Sequence, residues 1–138
     1  MIEGISHITF VVQDLDRMEE ILTTVLGAKI VYNSGDDTFS ISREKFFLVG
    51  NVWVVAMEGK PLSEQTYNHV AFKIDEADYD NCFANVKKLG LQIRESRPRI
   101  QGEARSIYFY DYDNHLFELH TGTLDERLKS YKAKNNSH

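Results

Sequence analysis

His7 in "SHITF", His69 in "YNHVAF" and Glu118 in "LFELH" each interrupt an otherwise apolar run. A lone histidine in such a run is more often a satisfied core residue than a ligand. A carboxylate there is costly unless it is paired or bound to a cation. Two imidazoles and one carboxylate together make the ligand set of sites that hold divalent zinc, manganese or iron and keep positions open for substrate. Side chains alternate along a strand, so Leu116, Glu118 and His120 share a face. His120 can therefore compete with Glu118 as a ligand, and is read as a supporting or packing group. His115, in the polar "DYDNH", reads as structural. Cys82, the one cysteine, reads as a core residue on a helix face rather than a nucleophile.

The elements that must position these residues come as a repeat. His7 and His69 stand 62 positions apart, as do Phe10 and Phe72. The pairs Leu26-Gly27 and Leu89-Gly90 are 63 apart, as are Gly59 and Gly122. The shared offset defines two modules, 2–59 and 67–122, joined by the polar "KPLSEQT". It also gives the histidines equivalent places, which raises the odds that they are ligands. By the same offset a fourth ligand position falls near Val55 to Met57, where no good ligand stands.

Each module opens with an alternating strand and continues into a helix. In the first, Asp14 or Asp16 caps the helix, Leu15, Met18, Leu22 and Val25 form the apolar stripe, and Gly27 ends it. In the second, Asp75 is the cap, Tyr79, Cys82, Phe83 and Val86 the stripe, and Gly90 the stop. Three strands follow in each: "KIVYN", "TFSIS" and "FFLVGNVWVVAM" (divided or continuous), then "LQIRES", "SIYFYD" and "LFELH". The order is βαβββ twice, an α+β fold spanning 1–131 as one domain. Thr123 and Glu126 have capping-box spacing and predict a short helix, with 132–138 a flexible tail. One such module leaves a sheet face and an edge uncovered. Two sheets side by side around a half-open barrel would bring matching polar positions into its mouth.

Composition limits the partners. The chain has 138 residues, 42% of them hydrophobic, which supports a real core. A net charge of −5 speaks against nucleic acid and anionic membranes as partners. No apolar run approaches the roughly 20 residues of a membrane span. The opening "MIEGISHITFVV" has no basic region, so no secretory signal is expected. A single cysteine forms no internal disulfide and suits a cytoplasmic setting.

The paired modules with "SHITF", "YNHVAF" and "FELH" resemble the vicinal oxygen chelate (glyoxalase-like) superfamily. With "REKFFL" and "RPRIQGEARSIYFYDYDNHLFELHTGTLDERL", the chain is similar over about residues 1–131 to fosfomycin resistance proteins of the FosX type, metal-dependent epoxide hydrolases. The resemblance implies that His7, His69 and Glu118 ligate the metal, usually Mn²⁺. It implies a homodimer in which each half-open barrel takes His7 from one chain and His69 and Glu118 from the other. Glu44 matches the general base, although sequence alone reads it as an exposed turn residue. Thr9 matches a position near the epoxide oxygen. Ser106, Tyr108 and Arg127 match contacts to the phosphonate. The glutathione-transferring relatives carry a serine-rich K⁺-binding loop, and here that run is "GEARS". Gly102 replaces a serine, and Arg105 is expected to supply the positive charge in place of K⁺. The lysine those relatives aim at the phosphonate aligns with Pro98, so Arg97 or Arg99 is expected to substitute.

These implications describe addition of water to the epoxide of fosfomycin. Three competing readings are thiol addition to the same drug, another metalloenzyme chemistry on this fold, and drug sequestration without turnover.

Overall fold

A computed structural model of the chain describes residues 1–95 and 104–136. The chain divides into two compact units. One comprises Met1–Thr66 with Asp111–His115, the other Tyr67–Tyr110 with Leu116–His138.

In the first unit β1 (His7–Val12) leads into α1 (Leu15–Leu26), then β2 (Lys29–Asn33), β3 (Glu44–Val49) and β4 (Val52–Glu58). The sheet order is β1-β4-β3-β2, with β1 parallel to β4 and the other neighbours antiparallel. Asp14 is the cap of α1, its Oδ1 accepting from Arg17 N at 3.0 Å. Gly27 closes the helix at φ 63°, a left-handed conformation that glycine adopts without steric cost. The expected stripe is buried, with Ile21 added to it. It covers one sheet face, where Phe10, Val12, Phe47, Val49, Val54 and Ala56 are buried.

The run "FFLVGNVWVVAM" is two strands. Val49 pairs with Val52 around Gly50, whose φ of 58° suits the tight turn. The expected strand "TFSIS" does not form. β2 pairs directly with β3, which leaves residues 38–42 no place in the sheet, and Phe39 and Ile41 stand exposed. Alternation alone could not distinguish this exposed segment from a half-buried strand.

The second unit repeats the topology. β5 (His69–Lys73) is followed by a 3₁₀ turn, Glu76–Asp78, then α2 (Tyr79–Lys88), β6 (Ile93–Arg94), β7 (Ser106–Tyr110) and β8 (Leu116–His120). The order is β5-β8-β7-β6, again with one parallel pair, β5 with β8. Asp75 caps the 3₁₀ turn through Ala77 N rather than α2 itself. Only Val86 of the predicted α2 stripe is fully buried. Cys82 is half-buried, not a core residue, and burial pushes its thiol pKa up. Among the described residues of "LQIRES", Ile93 and Arg94 pair with Phe109 and Tyr108, and Gln92 O accepts from Tyr110 N at 2.9 Å. Phe117 stacks on Phe109 at 5.4 Å. α3 (Leu124–Asn136) starts at the expected capping box, Glu126 N donating to Thr123 Oγ1 at 3.2 Å. It runs well past the predicted short helix and into the predicted tail. The added turn, Lys132-Ala133-Lys134, is built of good helix formers.

Between β7 and β8, Asp111 accepts from Asp113 N and His115 N, both at 2.9 Å, and meets His115 Nδ1 at 2.7 Å. His115 is thus a turn clasp, as its polar context suggests.

Candidate active site

Strand register decides which side chains share a face. Lys45 of β3 reaches Asp16 and Glu19 of α1, so odd positions of β3 face the helix and Glu44 and Phe46 face away. Three rows cross this second face of the first sheet: His7–Trp53–Leu48, Thr9–Val55–Phe46 and Val11–Met57–Glu44. The second sheet has the counterpart rows His69–Leu116–Tyr110, Ala71–Glu118–Tyr108 and Lys73–His120–Ser106. The correspondence is direct. Val55 stands where the second unit has Glu118, Met57 where it has His120, and Glu44 where it has Ser106.

The second unit assembles a polar cluster. Glu118 is only 5% exposed. Its Oε1 lies 3.0 Å from His69 Nε2. Its Oε2 accepts from Ser106 Oγ at 2.5 Å. Ser106 Oγ is also 2.7 Å from His120 Nδ1, and His120 Nε2 is 3.2 Å from Arg127 Nη2. The Tyr67 hydroxyl donates to that of Tyr108 at 3.1 Å, and Tyr108 hydrogen-bonds Glu118 in turn. Burial raises the carboxyl pKa of Glu118. The hydrogen bonds from Ser106 and Tyr108, with the pull of His120 and His69 when those rings are protonated, outweigh burial and hold it below the usual range. Tyr108 titrates well above an ordinary tyrosine, through burial, its bond to Tyr67 and the charge of Glu118. A cavity of about 340 Å³ opens here, lined by His69, Glu118, His120, Gly122, Thr123 and Arg127 among others. Gly122 keeps it open: a Cβ there would lie 2.6 Å from Ala104 Cβ and 3.0 Å from His120 Nε2.

This donor set fits a divalent cation. His69 Nδ1 is 2.7 Å from the Tyr67 carbonyl oxygen, which can only accept. The neutral ring therefore carries its hydrogen on Nδ1 and turns the Nε2 lone pair toward a carboxylate oxygen. A proton on Nε2 closes this 3.0 Å contact as an ion pair, and a metal ion can take that proton's place, with the backbone carbonyl behind the histidine as the usual support for a metal ligand. Among the described residues no group of three or more His, Cys, Asp or Glu could by itself hold a metal ion.

The first unit carries the other expected residues. His7 lies against Trp53, ring centroids 4.3 Å apart, with Ser6 Oγ 3.0 Å from its Nδ1. Trp53 Nε1 is buried and has no hydrogen-bond partner among the described residues. Thr9 is exposed beside His7 on the same face. Glu44 is not the exposed turn residue that bare sequence reading suggested. It opens β3 and is only 8% exposed, because its backbone is pinned on both sides of Ser34, N to Oγ at 2.9 Å and O to N at 3.0 Å.

Arg105 is paired. Its Nε and Nη2 lie 2.8 and 2.5 Å from Glu76 Oε1, and its guanidinium sits 3.7 Å over the Tyr79 ring. Arg105 holds the Glu76 carboxyl below its usual pKa. The Arg105 side chain stays about half exposed in that pairing, at 47%. Arg97, Arg99 and Gly102 lie outside the described residues. The Ser106–His120–Arg127 connection was missed in the sequence. The repeat offset could have flagged Glu44, which lies 62 positions before Ser106.

The glyoxalase/bleomycin resistance protein/dioxygenase superfamily model matches residues 4–119. The fosfomycin resistance protein FosX of Mesorhizobium japonicum is 61% identical over 134 residues, covering 97% of this chain and 96% of the relative. The metallothiol transferase FosB of Staphylococcus haemolyticus is 37% identical over 136 residues, covering 96% and 93%. A crystal structure of a glutamate-to-glutamine variant of FosX from Listeria monocytogenes, complexed with Mn(II) and 1S,2S-dihydroxypropylphosphonic acid, is also similar. It has a TM-score of 0.86 and 50% identity, covering 95% of this chain and 99% of that one.

Proposed function

The chain belongs to the glyoxalase/bleomycin resistance protein/dioxygenase superfamily and, within it, to the FosX group of fosfomycin resistance proteins, and from that premise we propose that it is a Mn²⁺-dependent hydrolase adding water to the epoxide of fosfomycin. The observation that carries the metal chemistry is the His69–Glu118 pair, Nε2 and Oε1 turned toward each other at 3.0 Å. His69 and Glu118 of one chain, with His7 of a second, would hold the ion in a homodimer with two equivalent sites. When bound, a divalent ion supplies Lewis-acid polarisation of the epoxide oxygen and positive charge where an alkoxide develops.

The chain's own groups do the rest. Arg127 offers a planar fork of donors suited to a phosphonate. Ser106 and Tyr108 add hydroxyl donors beside it, and Thr9 extends toward the epoxide from the His7 face. Arg97 and Arg99 remain candidates for a further phosphonate contact. Glu44 takes the proton from the water that attacks the epoxide carbon as its bond to the ring oxygen breaks, the released oxygen takes a proton from solvent, and the product is a vicinal diol phosphonate. The buried carboxylate of Glu44 and the greater likeness to FosX than to FosB support water over thiol as the nucleophile. A cytoplasmic location belongs to the same proposal.

Glu44→Gln tests the assignment of the base. The amide keeps the size of the side chain, so Mn²⁺ and fosfomycin should still bind. Diol formation should fall by about 10²–10⁴-fold, the usual contribution of a positioned base. Near-normal diol formation on a preparation of verified metal content would remove Glu44 from the mechanism.

A further inference from the structure

Four side chains of the second unit form a directed chain of hydrogen bonds. Arginine only donates, so at 3.2 Å from Arg127 Nη2 the His120 Nε2 must accept. Neutral His120 then carries its hydrogen on Nδ1, 2.7 Å from Ser106 Oγ and 3.3 Å from Glu118 Oε2 itself. Ser106 accepts there and has one hydrogen left to give. It gives it to Glu118 Oε2 at 2.5 Å. Every link follows from the donor inventory of the first, and no alternative tautomer of neutral His120 satisfies Arg127. The far end of the chain is one oxygen of the buried carboxylate whose other oxygen faces His69. Gly122 leaves room for the imidazole, since a Cβ there would stand 3.0 Å from His120 Nε2.

We propose that His120 is a positioning residue for metal binding, passing the orientation set by Arg127 through Ser106 to Glu118, so that Arg127 supports the metal site before any phosphonate arrives. The proposal rests on the reading of His69 and Glu118 as ligands. Arg127 then has a second task besides receiving the phosphonate. Its sign is unexpected. A fixed positive charge near a cation site should weaken cation binding by simple repulsion. Through the chain of hydrogen bonds the same arginine strengthens it, by holding the carboxylate aimed. Outer-shell partners of this kind are typically worth about 10–100-fold in metal affinity.

The test is Mn²⁺ alone, titrated into metal-free protein by electron paramagnetic resonance, with no phosphonate, phosphate or thiol present. Wild type should bind. His120→Phe removes both ring nitrogens and should weaken binding by about 10–100-fold. His120→Asn places an amide N–H where Nδ1–H was but offers Arg127 no acceptor in place of Nε2, and should recover that loss only as far as the level of Arg127→Met. Arg127→Met, a change at a half-buried position on a helix surface, should also weaken binding. It keeps the proposal testable if His120→Phe does not fold. Unchanged or tighter Mn²⁺ binding by a folded Arg127→Met protein would overturn the proposal, as would equal losses in His120→Asn and His120→Phe. Failure of wild type itself to bind Mn²⁺ would instead overturn the ligand assignment beneath it.

Discussion

Glu118 carries more of the site than any other side chain, and its burial is what makes its identity matter. A 5% exposed carboxylate held ionised by Ser106 and Tyr108 is a fixed negative charge awaiting a cation. Glu118→Gln is near-isosteric and removes that charge. Stoichiometric Mn²⁺ should be lost on metal analysis while the circular dichroism spectrum is kept. Retained Mn²⁺ would transfer the ligand role to His120. At this scale the sequence was legible where chemistry violated its surroundings: His7, His69 and Glu118 stood out because polar groups in apolar strands need a reason. Arg127 and Glu44 did not stand out, because a charge on a helix or beside a loop looks solvated until the fold buries it. Nothing local announced that Arg105 would pair with Glu76, 29 positions away.

Elements show why the repeat was the most informative feature. Gly59 and Gly122 share a reason to be glycine: a Cβ would stand 2.6 Å from Val11 Cγ1 at the first and 2.6 Å from Ala104 Cβ at the second. Strand lengths were less legible. "TFSIS" has the right alternation and no partner strand, and pairing is a long-range property that a local pattern does not encode. Lys45 is the unexpected member of the helix-facing side of β3, with its side chain 7% exposed between Asp16 and Glu19. Burial lowers its pKa, but its hydrogen bonds to both carboxylates outweigh burial and raise it above the ordinary 10.5. A raised base contributes its full stability below its unfolded pKa and loses it as pH rises through the folded value. Asp16, lowered chiefly by its hydrogen bond to Lys45, contributes above its ordinary value and loses that as pH falls through the lowered one. Lys45→Met removes the cation shared by Asp16 and Glu19 and leaves both carboxylates without it, so it should lower the Tm near neutrality. The wild-type protein should lose Tm relative to the variant as pH rises above about 10.5. A Tm difference that stays constant through that range would show the pair to be energetically silent.

For the whole molecule, the two units divide the chemistry unequally. In the proposed site the first would supply His7, Thr9 and Glu44, and the second His69, Glu118, Ser106, Tyr108 and Arg127. Where the second unit has Glu118 the first has Val55, so the repeat carries two histidines but one glutamate at these positions. If sites are shared between chains, mixing His7→Ala with Glu118→Ala protein should recover activity, because each heterodimer contains one intact site. Absence of recovery after confirmed subunit exchange would argue against sharing. The central claim is that water, not a thiol, opens the epoxide with a divalent metal. Phosphorus NMR of fosfomycin with the protein and Mn²⁺, in oxygen-18-labelled water and without any thiol, tests it most directly. The account predicts conversion to a dihydroxypropylphosphonate that carries one labelled oxygen, and no conversion when a chelator is added. A fosfomycin resonance that stays unchanged until a thiol is supplied would contradict it.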